Sequence, residues 1–258
     1  MADSSIANLP IPIVTLTTDF GLDDWYVAAM KAVLLSHASA ARLVDVTHTI
    51  PPGDIVKGSI TLERAVAAFP PATIHLAVID PGVGSDRRAL IVRIHQQLVI
   101  CPDNGLITWA WRRHGPGEAL QITWKPPTES HTFHGRDLFA PVAGMLASYR
   151  AILDLGKPID APVLLDLDLS TGPTGQIIHI DRFGNATTNI IALSLSPNAQ
   201  VRIGELTLPL RRTYADVAPG QPLALIGSSD LLEIAVRDGS AAAELRITAG
   251  VAVSIKMD

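Results

Sequence analysis

Three apolar, β-branched runs in the first third of the chain end in polar residues, a pattern typical of buried strands that lead into a site. These runs are Ile11–Asp19, Ala41–Val46 and Ile74–Ile79. The segments between them, from about Asp23 to Leu35 and from about Asp54 to Phe69, space their apolar residues as helices do. This alternation predicts an α/β fold, with a mainly parallel sheet flanked by helices on both faces.

The ends of the predicted strands point to a binding site. In open parallel sheets, ligands lie beyond the carboxyl ends of the strands. The polar residues there are Asp19, Asp45 with His48, and Asp80. We expect their side chains to line one crevice.

The middle of the chain predicts a hairpin and further helices. Leu90–Cys101 has the pattern of two strands that turn at Gln96-Gln97. Trp109 and Trp111 fall in a helical context and are expected to pack internally. The stretch Thr132–Pro141 then places polar groups ahead of an apolar run that can extend as a helix to about Tyr149.

Beyond Gly156-Lys157-Pro158 the helical periodicity fades and short β-like runs separated by turns follow. These runs are Gln176–Ile180, Gln200–Gly204, Leu206–Leu210, Pro222–Ile226, Ala243–Ile247 and Ala252–Ile255. Their spacing predicts a small antiparallel sheet or barrel. We therefore expect an N-terminal α/β domain over residues 1–165 and a smaller C-terminal all-β, barrel-like domain over residues 166–258.

Composition narrows the class of protein. With 48% hydrophobic and 17% charged residues among 258, the chain can bury a sizeable core. A net charge of −5 without any basic run argues against a nucleic-acid partner. The single Cys101 excludes an internal disulfide and suits a reducing compartment, and no apolar run is long enough to span a membrane. These features predict a cytoplasmic protein with neither a nucleic-acid nor a membrane partner.

Candidate catalytic residues fall in two loops of the first domain. His134 lies in the polar cluster Thr132–Pro141, while Asp80 ends a predicted strand and Arg87 follows seven residues later. The intervening glycines allow the backbone to approach a ligand, although the loop matches neither a phosphate loop nor a dinucleotide fingerprint. The alternative is a turn with a surface salt bridge.

Other chemistries find weaker support in this sequence. Asp45 and His48, together with His134 and Asp137, contain the ligand types of a metal site. Alternatively, Asp45 caps backbone amides and His48 is a hydrogen-bonded interior histidine. No Gly-x-Ser-x-Gly motif is present, and Cys101 is expected to be a buried structural thiol.

Two polar loops of the second domain are candidate binding elements. Asp181, Phe183 and Asn185 combine a carboxylate, an aromatic ring and an amide, which suits a purine edge or an amino-acid headgroup. A second loop contains Ser228 and is followed by Glu233. The alternative for the first loop is a turn rich in Asp and Asn.

Taken together, these motifs resemble S-adenosyl-L-methionine hydroxide adenosyltransferases, also called adenosine-forming S-adenosylmethionine (SAM) hydrolases, which are related to the fluorinase and the chlorinase. The resemblance covers nearly the whole chain. The motifs occur in the order seen in that family: Thr17–Gly21, Asp45–His48, Asp80–Gly84 with Arg87, Pro102–Gly105, Thr132–Asp137 and Asp181–Asn189.

The resemblance implies an α/β domain, a β-barrel-like domain and a homotrimer. Its active sites would lie between the N-terminal domain of one subunit and the C-terminal domain of the next. SAM would be the substrate, and no metal or organic cofactor would be needed. The implied catalytic residues are Asp80, Arg87 and His134, and the implied substrate-binding residues are Asp19, Asp181, Phe183, Asn185, Ser228 and Glu233.

The departures from the halogenases favour a water-using enzyme. The halogenases have a tyrosine where Asp80 stands and a halide-contacting serine that aligns with Gly135, and they insert a loop that Arg93–Leu98 lacks. In the expected reaction, Arg87 stabilises hydroxide character, His134 accepts the water proton, and Asp80 orients one of these two residues. A halogenating transferase and a non-catalytic sensor of SAM or adenosine are the alternatives.

Overall fold

Two compact units follow each other along the chain, Met1–Leu167 and Asp168–Asp258. They are seen in a computed structural model that describes residues 11–128, 130–191 and 199–256. Among the described residues, no helix is both long and apolar enough to cross a membrane.

The described part of the first unit is an α/β structure built on one seven-stranded sheet. Its strands are β1 (Ile13–Thr18), β2 (Arg42–Thr47), β3 (Ile74–Val78), β4 (Ala89–Ile94), β5 (Gln97–Pro102), β6 (Glu118–Ile122) and β7 (Gly156–Ile159). Its helices are α1 (Tyr26–His37), α2 (Ile55–Ala68), α3 (Thr108–Arg113) and α4 (Ala140–Ala147). A π-helical turn, Gly135–Phe139, leads directly into α4.

The strand order is β2-β1-β3-β5-β4-β6-β7. Strands β2, β1, β3 and β5 pair in parallel, while β4, β6 and β7 extend the sheet with antiparallel pairs. The hairpin of β4 and β5 makes this change of direction, and it turns at His95-Gln96, one residue before the predicted Gln96-Gln97. The α/β prediction is confirmed. The antiparallel strands β6 and β7 had no clear signal in the sequence.

Helices cover both faces of this sheet because consecutive strand residues point to opposite sides. Leu76 of β3 packs in one core cluster with Met30 of α1 and Val142 of α4. The next residue, Ala77, packs in a different cluster with Leu62 of α2 and Ala110 of α3. The polar strand ends are thereby held by buried apolar structure on each face.

The described part of the second unit forms a seven-stranded antiparallel sheet. Its strands are β8 (Thr174–Ile180), β9 (Ala186–Ile191), β10 (Gln200–Ile203), β11 (Leu206–Pro209), β12 (Pro222–Ile226), β13 (Leu231–Val236) and β14 (Ala252–Lys256). In the order β11-β10-β14-β8-β9-β13-β12, a bridge from Leu210 to Ala224 brings the two edges together. The predicted barrel-like domain is therefore confirmed as a nearly closed antiparallel sheet.

One local prediction was wrong. Ala243–Ile247 was expected to be a strand, but this segment contains the end of the short helix α5 (Ala241–Glu244), which Ser240 caps by accepting a hydrogen bond from the amide of Ala243. A helix of four residues is too short to show a helical period in the sequence. The second half of the motif Asp181–Asn189 belongs to the buried strand β9.

Candidate active site

The first unit brings Asp80, Arg87 and His134 into direct contact. The Nε of Arg87 donates to the Asp80 carboxylate oxygens at 2.8 and 3.0 Å, and its Nη2 also donates to Asp80 Oδ2. The same Nη2 lies 2.8 Å from Nδ1 of His134. The Asp80 and Arg87 side chains are only 5% and 9% exposed, so this ion pair is buried. Arg87 is thus the centre of the cluster.

The contact between Arg87 and His134 fixes the imidazole tautomer. An arginine side chain has hydrogen-bond donors and no acceptor. His134 must therefore accept at Nδ1, and a neutral ring then carries its proton on Nε2. Because Asp80 contacts Arg87 directly, we assign its orienting role to Arg87.

The loop between Asp80 and Arg87 is shaped by a glycine that no other residue could easily replace. Gly84 has a φ of +81°, and a Cβ atom there would lie 2.8 Å from the carbonyl oxygen of His131. The loop therefore packs closely against the segment that leads to His134. This close approach brings two sequence-distant loops together.

The π-helical turn after His134 packs tightly around the cluster. The ring of Phe139 lies beneath the Arg87 guanidinium, with 5.2 Å between Cζ and the ring centroid. A Cβ on Gly135 would come within 3.2 Å of Met30 and Phe20 and 3.3 Å of Phe133. A serine at position 135 would require these neighbours to move, which agrees with the departure from the halogenases.

Asp19 lies at the end of β1 and accepts a hydrogen bond from the amide of Gly53 at 2.8 Å. Burial raises the pKa of the Asp19 carboxyl, the Gly53 amide opposes this rise, and the negative charge of Asp80 adds to it. Asp19 therefore lies close enough to Asp80 for their charges to interact. Asp19 and Asp80, two of the three polar strand ends that were expected to line one crevice, therefore lie in the same region.

Asp45 and His48, near the end of β2, form a network with Thr18 and Lys31. His48 is buried, with Nδ1 2.8 Å from the Thr18 hydroxyl and Nε2 3.0 Å from Asp45 Oδ1, and Lys31 pairs with Asp45 at 2.6 Å. The interpretation of His48 as a hydrogen-bonded interior histidine is confirmed. No group of three or more potential ligands that could hold a metal ion occurs in the described residues.

Asp137 and Arg136 hold the loop around His134. Asp137 accepts from the Arg136 Nε at 2.6 Å and from the amide of Ser130 at 2.9 Å. The hydrogen bond from Arg136 lowers the pKa of the Asp137 carboxyl. Both side chains support the backbone that precedes the π-helical turn.

A second candidate region is a wide pocket in the second unit, with a volume of about 910 Å³. All five predicted binding residues of this unit line it: Asp181, Phe183, Asn185, Ser228 and Glu233. Asp181 also organises its own turn, because its carboxylate accepts from the amides of Phe183 and Asn185, each at 2.8 Å. The turn rich in Asp and Asn, which was the alternative interpretation, is therefore present, and it is the same loop that contains the candidate binding residues.

The pocket contains functional candidates that sequence reasoning missed. Tyr214 donates its hydroxyl proton to Glu233 at 2.6 Å, and burial together with this carboxylate raises the pKa of the phenol. Arg212 and Asp238 also line the pocket. The sequence signal that could have pointed to Tyr214 is the capping box formed by Thr213 and Asp216, which fixes the turn containing Tyr214.

An aromatic recess of about 510 Å³ in the first unit was also missed. It is lined by Phe20, Trp25, Tyr26 and Phe133, with Ser130, Thr132 and Arg136. Phe20 follows Asp19 and Phe133 precedes His134, so the recess adjoins the candidate catalytic residues. Trp25 falls in the segment from about Asp23 to Leu35 that was expected to be helical, but it directly precedes α1 and is 56% exposed.

Two models of one protein family match most of the chain. The model of the SAM hydroxide adenosyltransferase N-terminal domain matches residues 14–156, and that of the C-terminal domain of the same family matches residues 175–254. This chain belongs to the SAM hydroxide adenosyltransferase family. The family predicted from the motifs is thus confirmed.

Relatives of the chain include both hydrolases and halogenases. An (R)-S-adenosyl-L-methionine hydrolase of Thermus thermophilus is 38% identical, with 94% of this chain and 98% of that protein aligned. One from Salinispora tropica is 37% identical over 93% and 96%. A fluorinase of Nocardia brasiliensis is 26% identical over 95% and 97%.

The fold agrees with solved structures. The crystal structure of a conserved protein from Thermotoga maritima superposes with a TM-score of 0.87 at 33% identity, covering 95% of this chain and all of that one. The chain is more similar in sequence to these hydrolases than to this fluorinase.

Proposed function

We propose that this protein hydrolyses S-adenosyl-L-methionine to adenosine and L-methionine. The observation that carries the proposal is the preformed cluster of Asp80, Arg87 and His134 in a chain of the SAM hydroxide adenosyltransferase family. A buried cation at this position suits a reaction whose nucleophile is hydroxide-like oxygen.

The reaction is a displacement at the ribose C5′ atom. The oxygen of water or hydroxide forms a bond to C5′ while the bond from C5′ to the sulfonium sulfur breaks. The electron pair of that bond passes to sulfur, so methionine leaves as a neutral thioether and needs no general acid. The enzyme's task is to provide oxygen with hydroxide character, and the cationic Arg87 favours that charge.

The remaining predicted residues are proposed to bind the substrate. Asp19, a half-buried carboxylate at the end of β1, is proposed to accept hydrogen bonds from the ribose hydroxyls. In the second unit, Asp181, Phe183, Asn185, Ser228 and Glu233 offer carboxylates, amide and hydroxyl groups and an exposed ring in one pocket. Such groups match a molecule with an adenine ring and an amino-acid headgroup.

We further propose that the protein acts as a cytoplasmic homotrimer and that SAM is its only organic ligand. Each step of the displacement can be written with side chains of this chain and water, so the proposal includes no metal or organic cofactor. Light scattering at working concentration tests the trimer.

The activity is tested by incubating the purified protein with SAM in water enriched in ¹⁸O. We expect adenosine and methionine in equal amounts, with the label in the 5′ hydroxyl of adenosine because C5′ is attacked. A halide-dependent 5′-halo product would favour a halogenase. Tight binding of SAM without any product would favour a sensor.

A further inference from the structure

Strand β1 contains two buried threonines whose hydroxyl groups each contact a histidine. Thr15 Oγ1 lies 2.7 Å from Nδ1 of His75, and Thr18 Oγ1 lies 2.8 Å from Nδ1 of His48. All four side chains belong to residues that are at most 3% exposed. The two pairs are alike in their atoms and their burial, but only Thr18 is adjacent in the chain to Asp19.

The pair of Thr18 and His48 holds the backbone around Asp19. The Thr18 hydroxyl accepts a hydrogen bond from the amide of Phe20 at 3.3 Å, so it closes a turn over the intervening Asp19. The carbonyl oxygen of His48 accepts from the amide of Gly21 at 2.8 Å. The ring and the carbonyl group of one histidine therefore restrain the residues on both sides of Asp19.

The ring of His48 is in turn held by Asp45. Asp45 and Thr47 pair with consecutive residues of β1, so Val46 is an extra residue in β2. In a regular strand, residues three apart point to opposite faces, and an extra residue of this kind redirects the side chains that follow it. It allows Nε2 of His48 to lie 3.0 Å from Oδ1 of Asp45.

The charge on Asp45 sets the direction of the hydrogen bond between His48 and Thr18. Burial raises the pKa of the Asp45 carboxyl, but the hydrogen bond from Lys31 and the contact with His48 outweigh it and hold the pKa below 3.8. The ionised carboxylate favours a proton on Nε2, the nitrogen beside it. In the neutral ring Nδ1 then accepts from the Thr18 hydroxyl, whose oxygen accepts from Phe20.

We infer that Thr18, His48 and Asp45 are positioning residues that fix the carboxylate of Asp19 for the ribose hydroxyls of SAM. This role rests on the proposed function, in which Asp19 binds the substrate. The carboxylate itself accepts from the amide of Gly53 at 2.8 Å, so the segment from His48 to Gly53 holds both the backbone and the side chain of Asp19. The motif Asp45–His48 thereby acts on substrate affinity and not on the chemical step.

Substitutions of the two threonines test this role. Thr18→Val removes the hydroxyl and keeps the shape, and we expect KM for SAM to rise about three- to tenfold, the scale of one lost hydrogen bond, with kcat unchanged. Thr18→Ser retains the hydroxyl, and its KM should stay within about twofold of the wild type. Thr15→Val is the matched control, because it breaks the equivalent contact with His75. It should lower the melting temperature as Thr18→Val does and leave KM unchanged.

Asp45→Ala tests the same role at a position that the fold can lose more easily, because the Asp45 side chain is 40% exposed. It keeps the contact between His48 and Thr18 but removes the group that orients the ring. We expect KM to rise about two- to fivefold, the scale of one partly exposed ion pair. This variant decides the question if Thr18→Val does not fold.

The Asp19→Ala background separates positioning from general damage. Both increases in KM should disappear there, because no carboxylate remains to be positioned, whereas factors that multiply unchanged would overturn the inference. A wild-type KM in Thr18→Val or Asp45→Ala would overturn it too, as would an equal rise in Thr15→Val.

Failure of the proposed function gives a different result. If the wild type binds SAM in calorimetry but forms no adenosine, the proposed hydrolysis is wrong, and the same series of variants compared by Kd still decides the positioning role. If the wild type does not bind SAM, both proposals are overturned.

Discussion

The two candidate regions of this protein differ in how complete they are. In the first unit, Asp80 and Arg87 are 5% and 9% exposed and are joined by several hydrogen bonds. In the second unit, the pocket is wide and Phe183 is 76% exposed. The cluster is organised before any ligand arrives, whereas the pocket leaves a large aromatic surface in contact with solvent.

This difference between a buried cluster and an open pocket agrees with what catalysis and substrate binding each require. Stabilising a developing charge requires dipoles and charges fixed in advance, because reorganising them during the reaction costs free energy. Binding requires surface that a ligand can cover, and an exposed aromatic ring provides apolar area for that purpose. We therefore expect substitutions in the cluster to lower kcat and substitutions in the pocket to raise KM.

The largest effect is expected for Arg87→Met. Loss of one preorganised donor costs about 10²–10³-fold in kcat in comparable sites. The variant also leaves the buried Asp80 carboxylate without its cation, which destabilises a fold by roughly 3–5 kcal/mol. Steady-state kinetics and denaturant unfolding measure both effects. Arg93→Met is the control, because Arg93 forms an exposed pair with Glu118 and should change neither; a fully active Arg87→Met would remove the cluster from the mechanism.

A smaller effect is expected for Asp19→Asn, which should raise KM for SAM by about 10- to 100-fold, the strength of hydrogen bonds to a charged group. Because burial raises the pKa of Asp19, this carboxylate is protonated at a higher pH than an exposed aspartate. Wild-type KM should therefore rise as the pH falls through that raised pKa, and the variant's KM should stay flat there.

The pH dependence of folding stability has the opposite sign to that of substrate binding. The protonated Asp19 carboxyl stabilises the folded protein, and this contribution is complete below the ordinary pKa of 3.8 and is lost as the pH rises through the folded pKa.

Asp154→Asn is the control for Asp19→Asn, because the Asp154 side chain is exposed. An Asp19→Asn variant with wild-type KM at neutral pH would argue against a role in ribose binding.

Phe183→Ala tests the open pocket. We expect KM to rise by about two- to tenfold, the range for one aromatic contact, with kcat unchanged. The melting temperature should stay the same, because the ring is mostly exposed in the absence of ligand. Leu206→Ala, another exposed apolar side chain of this unit that does not line the pocket, is the matched control. A loss in kcat at constant KM would contradict the division of labour between the two regions.

The smallest effect on turnover is expected for Asp137→Asn. Asp137 supports the loop before His134, so kcat should change by less than about threefold while the melting temperature falls. Since the hydrogen bond from Arg136 lowers the pKa of Asp137, this stabilisation is present above pH 3.8 and is lost as the pH falls through the folded value. Thermal unfolding from neutral to acid pH should show the wild type and the variant converging. A loss of turnover as large as that of Arg87→Met would give Asp137 a direct role.

Much of the architecture could be predicted because it depends on local patterns. The β-branched runs predicted β1, β2 and β3, and the turn at Gln96-Gln97 predicted the β4–β5 hairpin. The short helix α5 was mistaken for a strand because four residues are too few to show a period. The strands β6 and β7 at the sheet edge are stabilised by partners distant in sequence, and their own residues indicate them only weakly.

The sequence by itself determined which residues are available for chemistry, their chain order and the family to which they belong. Only the tertiary structure decided how Asp80, Arg87 and His134 contact each other, because these contacts join loops 47 residues apart. It likewise placed Tyr214 against Glu233 and His48 against Thr18 and Asp45. The physical reason is that hydrogen-bond direction and burial depend on atoms brought together by the whole fold, and no local pattern contains that information.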